Sequence, residues 1–232
     1  GGLGWLARSR GMSVDNVRSF RLVTPDGTLR NVSAEEHPDL YWGLRGGGGN
    51  FGVVTAFEYE LHPVGPEVYR LMAFYRIDRA TEALRLYREH MENAPEELGM
   101  IAILWSAPEE TFIPEEYHGE PVLIFLGCYS GPMEQAEEVV RPFRSLDGMI
   151  ADESGPVSFV EMQQTLDADY PDGMYYYWKS VYLPDLTEDA IGKLISLTKD
   201  RPSSLSSIDV WALGGSISRV QAEATAFVTR EP

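Results

Sequence analysis

The sequence predicts an α+β fold, with helices on one face of a largely antiparallel sheet. Three observations carry this expectation. Strand-like alternation over residues 68–77, 100–106 and 122–129 is interleaved with helical patterns that follow Asp78, Ser130 and Thr187. A hairpin, a short helix and a long strand fill the region before them. Between the two regions stands His62-Pro63-Val64-Gly65-Pro66, a cluster that punctuates rather than continues a strand. The expected domains are therefore residues 1–66 and residues 67–232.

Taken in order, residues 17–24 and 28–32 flank Pro25-Asp26-Gly27, a tight turn, and read as a β-hairpin. Ser33 and Glu36 have capping-box spacing, and Pro38 suits the first turn of a helix running to about Leu44. Four glycines, Gly46 to Gly49, end that helix. Residues 51–61 follow as a strand with Phe51, Val53, Thr55, Phe57, Tyr59 and Leu61 expected on one face. In the second region Asp78 is placed to cap a helix carrying Ala80, Ala83, Leu84, Tyr87 and Met91 inward. A helix after Ser130 would bury Ala136, Val139, Val140 and Phe143. Residues 159–166 read as a short helix and 174–183 as an aromatic strand. Thr187 caps a helix with Ala190, Ile191, Leu194 and Ile195, and residues 208–213 read as a strand.

The formal net charge of −17 opposes a nucleic-acid backbone or an anionic membrane surface as partner, because both require a basic face. The acidity is spread along the chain, as expected of a solvated surface. No apolar run reaches the ~18 residues of a membrane span, and there is no secretory segment, so the expected compartment is the cytoplasm. The chain opens on Gly1 rather than methionine, which leaves room for a targeting segment upstream. A single cysteine, Cys128, excludes an internal disulfide, and no histidine pair has metal-ligand spacing, so no metal is expected. Oligomeric state is not legible.

Two glycine clusters dominate the first fifty residues: Gly1-Gly2-Leu3-Gly4 and Gly46-Gly47-Gly48-Gly49-Asn50-Phe51-Gly52. Glycines let successive backbone N–H groups approach a phosphate without a Cβ between them. Walker A fails, since no Lys-Ser/Thr follows either cluster. Gly2-Leu3-Gly4-Trp5-Leu6-Ala7 formally matches the dinucleotide fingerprint G-x-G-x-x-A, with Asp26 at about the right distance. Asp26 is better explained by its turn, and residues 8–16 break off the long helix that the fingerprint needs.

In order, these segments resemble a known family. Gly1-Gly2-Leu3-Gly4-Trp5-Leu6-Ala7-Arg8, then Gly11 and Asp15-Asn16-Val17, are similar to a stretch of the berberine-bridge-enzyme-like FAD-linked oxidases. The block from Pro38-Asp39-Leu40-Tyr41-Trp42 through Gly46-Gly47-Gly48-Gly49-Asn50-Phe51-Gly52 to Val53-Val54-Thr55 matches that family almost letter for letter. Tyr176-Tyr177-Trp178-Lys179-Ser180 and Gly214-Gly215-Ser216 resemble its later blocks. The resemblance implies the vanillyl-alcohol-oxidase, PCMH-type fold. Residues 1–66 would be the second half of the FAD-binding domain. Residues 67–232 would be most of a substrate domain, whose sheet covers the isoalloxazine.

The resemblance places Gly1, Gly2 and Gly4 close to the flavin and has Asp15 and Asn16 shape its pocket. Gly48, Gly49, Asn50 and Gly52 would support the same wall, and Val53 and Val54 would approach the adenine end through their backbone. It also implies that the chain is cut at both ends, with the flavin-linking residues before residue 1 and the proton-accepting base after residue 232. Within the chain, the pocket candidates are Asp209 and Trp211, which alternate onto one strand face, and Tyr175, Tyr177 and Lys179, which alternate onto another. Asp209 is the most informative, since a carboxylate is not easily buried without a partner. The expected activity is hydride transfer from an alcohol, sugar or related C–H to flavin, with oxygen as oxidant. The alternative is a non-catalytic small-molecule-binding protein derived from the same fold.

Overall fold

A computed structural model describes residues 2–230, in two compact units. The first comprises the chain up to Pro63 together with the segment from Leu213 onward; the second is Val64–Ala212. The division read from the sequence differs at its far end, where it assigned residues 213–232 to the second domain. Local packing explains the difference: the Arg8 guanidinium donates to the Leu213 carbonyl (2.6 Å), Ser216 Oγ to the Ser9 carbonyl (2.9 Å) and Trp42 Nε1 to the Glu223 carbonyl (2.8 Å).

The first unit begins with α1 (Ala7–Arg10), only four residues long, which confirms that no long helix follows the first glycines. β1 (Val17–Val23) and β2 (Leu29–Ser33) form the hairpin, with Thr24 and Thr28 closing the turn. α2 (Pro38–Leu44) starts as expected at its proline, but without the expected box. Ser33 Oγ instead accepts from the Glu35 and Glu36 N–H groups, four residues before the cap position of the helix, which His37 occupies in a left-handed conformation (φ 57°). β3 (Val53–Tyr59) joins β1 on the other side, giving the order β2-β1-β3.

β3 does not keep one face. Its register with β1 shifts between Arg21 and Leu22, so Phe57 opposes Phe20 while Val54, not Thr55, opposes Leu22. One extra residue in a strand reverses the alternation beyond it. Val54 and Phe57 therefore share the α2 side with Phe20, Leu22 and Val32, and Val53 lies on the other. Val53 and Leu61 are left exposed, at 67% and 85%.

The second unit is built on a six-stranded antiparallel sheet. Its strands are β4 (Glu67–Arg76), β5 (Leu98–Ser106), β6 (Pro121–Tyr129), β7 (Met149–Asp152), β8 (Gly155–Ser158) and β9 (Ile208–Trp211). The order is β7-β4-β6-β5-β9, with β8 also on β4. β7 and β8 were not legible in the sequence, being four residues each.

One sheet face carries Leu71, Tyr75, Met100, Leu104 and Phe125 and is covered by helices. α3 (Ala80–Met91) packs there through Ala83, Leu84, Tyr87 and Met91, the spacing of one helical face. Each such buried apolar side chain contributes roughly 1.5–3 kcal/mol. Tyr87 also ties the sheet, its hydroxyl lying 2.8 Å from the Val210 carbonyl and 3.1 Å from that of Met100. α4 (Ala136–Val140) and α6 (Glu188–Lys199) complete this layer, α6 capped by Thr187 Oγ1, which accepts from the Ala190 N–H (3.2 Å). α5 (Phe159–Gln164) starts in a capping box between Ser158 and Glu161. In the first unit, α7 (Ser216–Arg219) packs on α1.

Residues 174–183, expected as an aromatic strand, form no regular structure. Tyr175 and Tyr177 are 104% and 90% exposed. Alternation alone does not make a strand; a neighbouring edge must accept its hydrogen bonds.

Candidate functional site

The glycine clusters fall into two physical groups. A Cβ on Gly2 would lie 2.4 Å from the Ser13 side chain, one on Gly46 2.5 Å from the Phe227 nitrogen, and one on Gly52 2.2 Å from the Val23 carbonyl oxygen. These glycines are required by packing. By contrast, a Cβ on Gly4 or Gly49 would meet nothing within 4 Å, and one on Gly48 only Asn50 Nδ2 at 3.9 Å. Gly48 has φ +78°, which favours glycine by backbone alone. Among the described residues, no protein group accepts from the Gly48 or Gly49 N–H. Backbone N–H groups without a protein acceptor, with room at the Cβ position beside them, fit close approach of an anionic or polar ligand such as the pyrophosphate of a dinucleotide. Gly1 lies outside the described residues.

Asp15 and Asn16 face inward to the protein. Both Asp15 carboxylate oxygens accept from Arg230 (2.7 and 2.8 Å), and Oδ2 also accepts from the Met12 N–H (2.9 Å). Asn16 Nδ2 donates to the Arg10 and Met12 carbonyls, and its Oδ1 meets His62 Nε2 at 2.6 Å. These bonds hold residues 10–16 in place. Asn50 donates to the Gly47 carbonyl (3.2 Å) and steadies the glycine run. Val54 packs inward beneath α2, leaving its backbone as the part able to meet a ligand. The Arg230 partner of Asp15, 215 residues away, was not legible in the sequence.

In the second unit, the sheet face opposite the helices carries Asp209 and Trp211. Register sets Phe74, Ile124, Ile103 and Asp209 in one row, and Met72, Leu126, Ile101 and Trp211 in the next. Asp209 Oδ1 is buried with no partner. Burial pushes its carboxyl above the usual range, opposed by a hydrogen bond from Ser207. Tyr170 stands nearby: burial first, then the Asp209 charge, raises its phenol. Its ring packs on Tyr176 and Trp178, with centroids 5.7 and 5.3 Å away. Tyr175, Tyr177 and Lys179 are exposed.

The same face holds a cavity of about 230 Å³ floored by Met72, Phe74, Ile103, Ile124 and Leu126. Trp105, Glu110 and Asp169 stand around it, none of them legible as site residues in the sequence. Asp169 is pushed up to about 6, by burial and then by the charge of Glu110. Cys128 is fully buried, and burial raises its thiol to about 12, as befits an inert core cysteine.

The fold defines the class. The chain has the PCMH-type fold of the berberine-bridge-enzyme-like flavoproteins: it superposes over its full length on 51% of a berberine-bridge-like enzyme of Physcomitrella patens (TM-score 0.78, 20% identity). It superposes equally on 50% of a xylooligosaccharide oxidase of Myceliophthora thermophila (TM-score 0.75, 21% identity). In sequence the chain is similar to an FAD-linked oxidoreductase of Dictyostelium discoideum, 28% identical over 218 residues, which are 94% of this chain and 45% of that protein. The chain thus spans about half the length of the relatives it matches. No family model matches it. The resemblance to berberine-bridge-enzyme-like FAD-linked oxidases stands in both sequence and fold.

Proposed function

We propose that this chain is part of an FAD-dependent oxidoreductase that moves a hydride from a substrate carbon, in an alcohol, sugar or related compound, to flavin, with oxygen as the final oxidant. The observation that carries the reading is the glycine run in the block matching FAD-linked proteins, where no described group accepts from the Gly48 or Gly49 N–H and a Cβ on Gly49 would meet nothing within 4 Å. FAD would supply the hydride acceptor. In the first unit Gly2, Gly4, Gly48 and Gly49 hold the cofactor by their backbone, with Val53 and Val54 doing so at its other end. Packing keeps this wall rigid before any ligand arrives, which lowers the ordering cost of binding. In the second unit Asp209, rather than a base beyond residue 232 as the resemblance implies, is assigned as the group that accepts the substrate proton. A carboxylate raised by burial is a stronger base than one in water, and Ser207 holds it in place.

The test is the visible absorbance of the protein produced from its complete coding sequence. A yellow protein whose flavin bleaches anaerobically with an alcohol or sugar supports the reading. Asp209→Asn is then expected to lower kcat about 10²–10⁴-fold with flavin content unchanged. A folded, colourless protein that takes up no FAD overturns the proposal.

A further inference from the structure

The two glycine blocks of the first unit are far apart in sequence, and residues 223–230 run between them as a strap. At one end α2 and the glycine run hold it. Trp42 Nε1 donates to the Glu223 carbonyl (2.8 Å), Arg45 Nη2 to the Ala224 carbonyl (2.5 Å) and the Ala226 N–H to the Trp42 carbonyl (3.3 Å), while Phe227 lies where a Cβ on Gly46 would be. At the other end Arg230 donates to Asp15 and to Thr225. Asp15 also accepts from the Met12 N–H, and the next N–H, that of Ser13, donates to the Gly2 carbonyl (3.0 Å). Arg45 stands where the strap meets the glycine run. Its guanidinium lies over the Tyr41 ring, 4.2 Å from the centroid, and Tyr41 is itself fixed by its hydroxyl, which donates to the Val17 carbonyl (2.6 Å). Arg45 Nε is buried with no partner, a cost that an ordinary helix end does not carry.

We infer that Arg45 is a positioning residue for the flavin wall. By fastening the strap to the end of α2, it holds residues 46–49 in the arrangement in which the Gly48 and Gly49 N–H groups can meet the cofactor. The inference rests on the oxidoreductase reading for its ligand, whereas the ordering of the glycine run by Arg45 is a property of the chain without flavin.

FAD titration and hydrogen exchange of the flavin-free, full-length protein test it with Arg45→Met. If the run is competent only about a tenth of the time once Arg45 is gone, FAD affinity falls about tenfold. The loss should be the same at low and high salt, because Arg45 acts through the backbone and not by its charge on a phosphate. Peptides spanning residues 42–50 and 222–228 should exchange faster than in the wild type. Arg45→Lys keeps the charge and a donor but loses the planar stack on Tyr41, so it should fall between the two. It also decides the matter if Arg45→Met does not fold, wild-type affinity and exchange then overturning the inference. A folded Arg45→Met protein that melts lower yet binds FAD as tightly as the wild type overturns it too, as does weaker binding with unchanged exchange or a loss that vanishes at high salt. A wild type that takes up no FAD sinks the oxidoreductase reading by itself; faster exchange at the two peptides still supports the role of Arg45, and unchanged exchange overturns it.

Discussion

Asp169 shows how a residue with no sequence signature acquires a distinct chemistry. In the sequence it is one acid among 36. In the structure it is half-buried beside Glu110, and its carboxyl titrates at about 6 rather than near the ordinary 3.8. Between those values the folded chain holds a proton that the unfolded chain has released. Stability contributed by the protonated group is therefore complete below pH 3.8 and is lost as the pH rises to about 6. Asp169→Asn removes this dependence. Its urea midpoint is expected to exceed that of the wild type above pH 6, by about 1 kcal/mol in unfolding free energy, and to equal it near pH 4. A constant difference across that range would show that Asp169 is not the titrating group. Asp209, by contrast, was singled out from the sequence, because a carboxylate alternating with apolar residues on a strand stands out even before its surroundings are known.

At the scale of elements, the glycine run between α2 and β3 combines two functions that the sequence shows as a single tract. Gly46 sits at φ +123° with Phe227 against it, whereas Gly49 has room around it and no positive φ. Gly46→Ala is expected to destabilise the protein by roughly 2 kcal/mol or more, through strain and overlap. Gly49→Ala should leave the melting temperature nearly unchanged while weakening FAD retention in the full-length protein. Thermal melts paired with flavin absorbance separate the two; equal melting temperatures would refute the packing role of Gly46. The hairpin, α2, α3 and α6 were legible because turn residues, the Thr187 cap and helical periodicity act over a few neighbours, although neither Ser33 nor Asp78 caps the helix expected after it. The β3 bulge was not, since it depends on which β1 residue each β3 residue meets. The 174–183 segment failed for a related reason: its alternation had no strand edge to pair with.

At the scale of the whole chain, the Asp15–Arg230 pair joins residues 215 positions apart, with side chains only 9% and 5% exposed. Thr225 accepts a further hydrogen bond from Arg230 (2.6 Å), so the guanidinium anchors the last segment to the first unit. Removing one partner leaves the other charge buried. Arg230→Met is expected to lower stability by about 3–5 kcal/mol in urea unfolding, and Asp15→Asn by less, since an amide can still accept one hydrogen bond. A loss below about 1 kcal/mol for Arg230→Met would mean that the pair is solvated in solution.

By itself the sequence determined the fold class, the helices and the principal strands, the glycine blocks and the flavoprotein resemblance, because periodicity, turn chemistry and contiguous motifs are written in local order. Only the tertiary structure decided which glycines face open space, that the last eighteen described residues return to the first unit, and that Asp169, Glu110 and Trp105 gather over an apolar floor. Those features depend on strand register and on contacts between residues far apart in the chain, and neither is encoded in any short stretch of it.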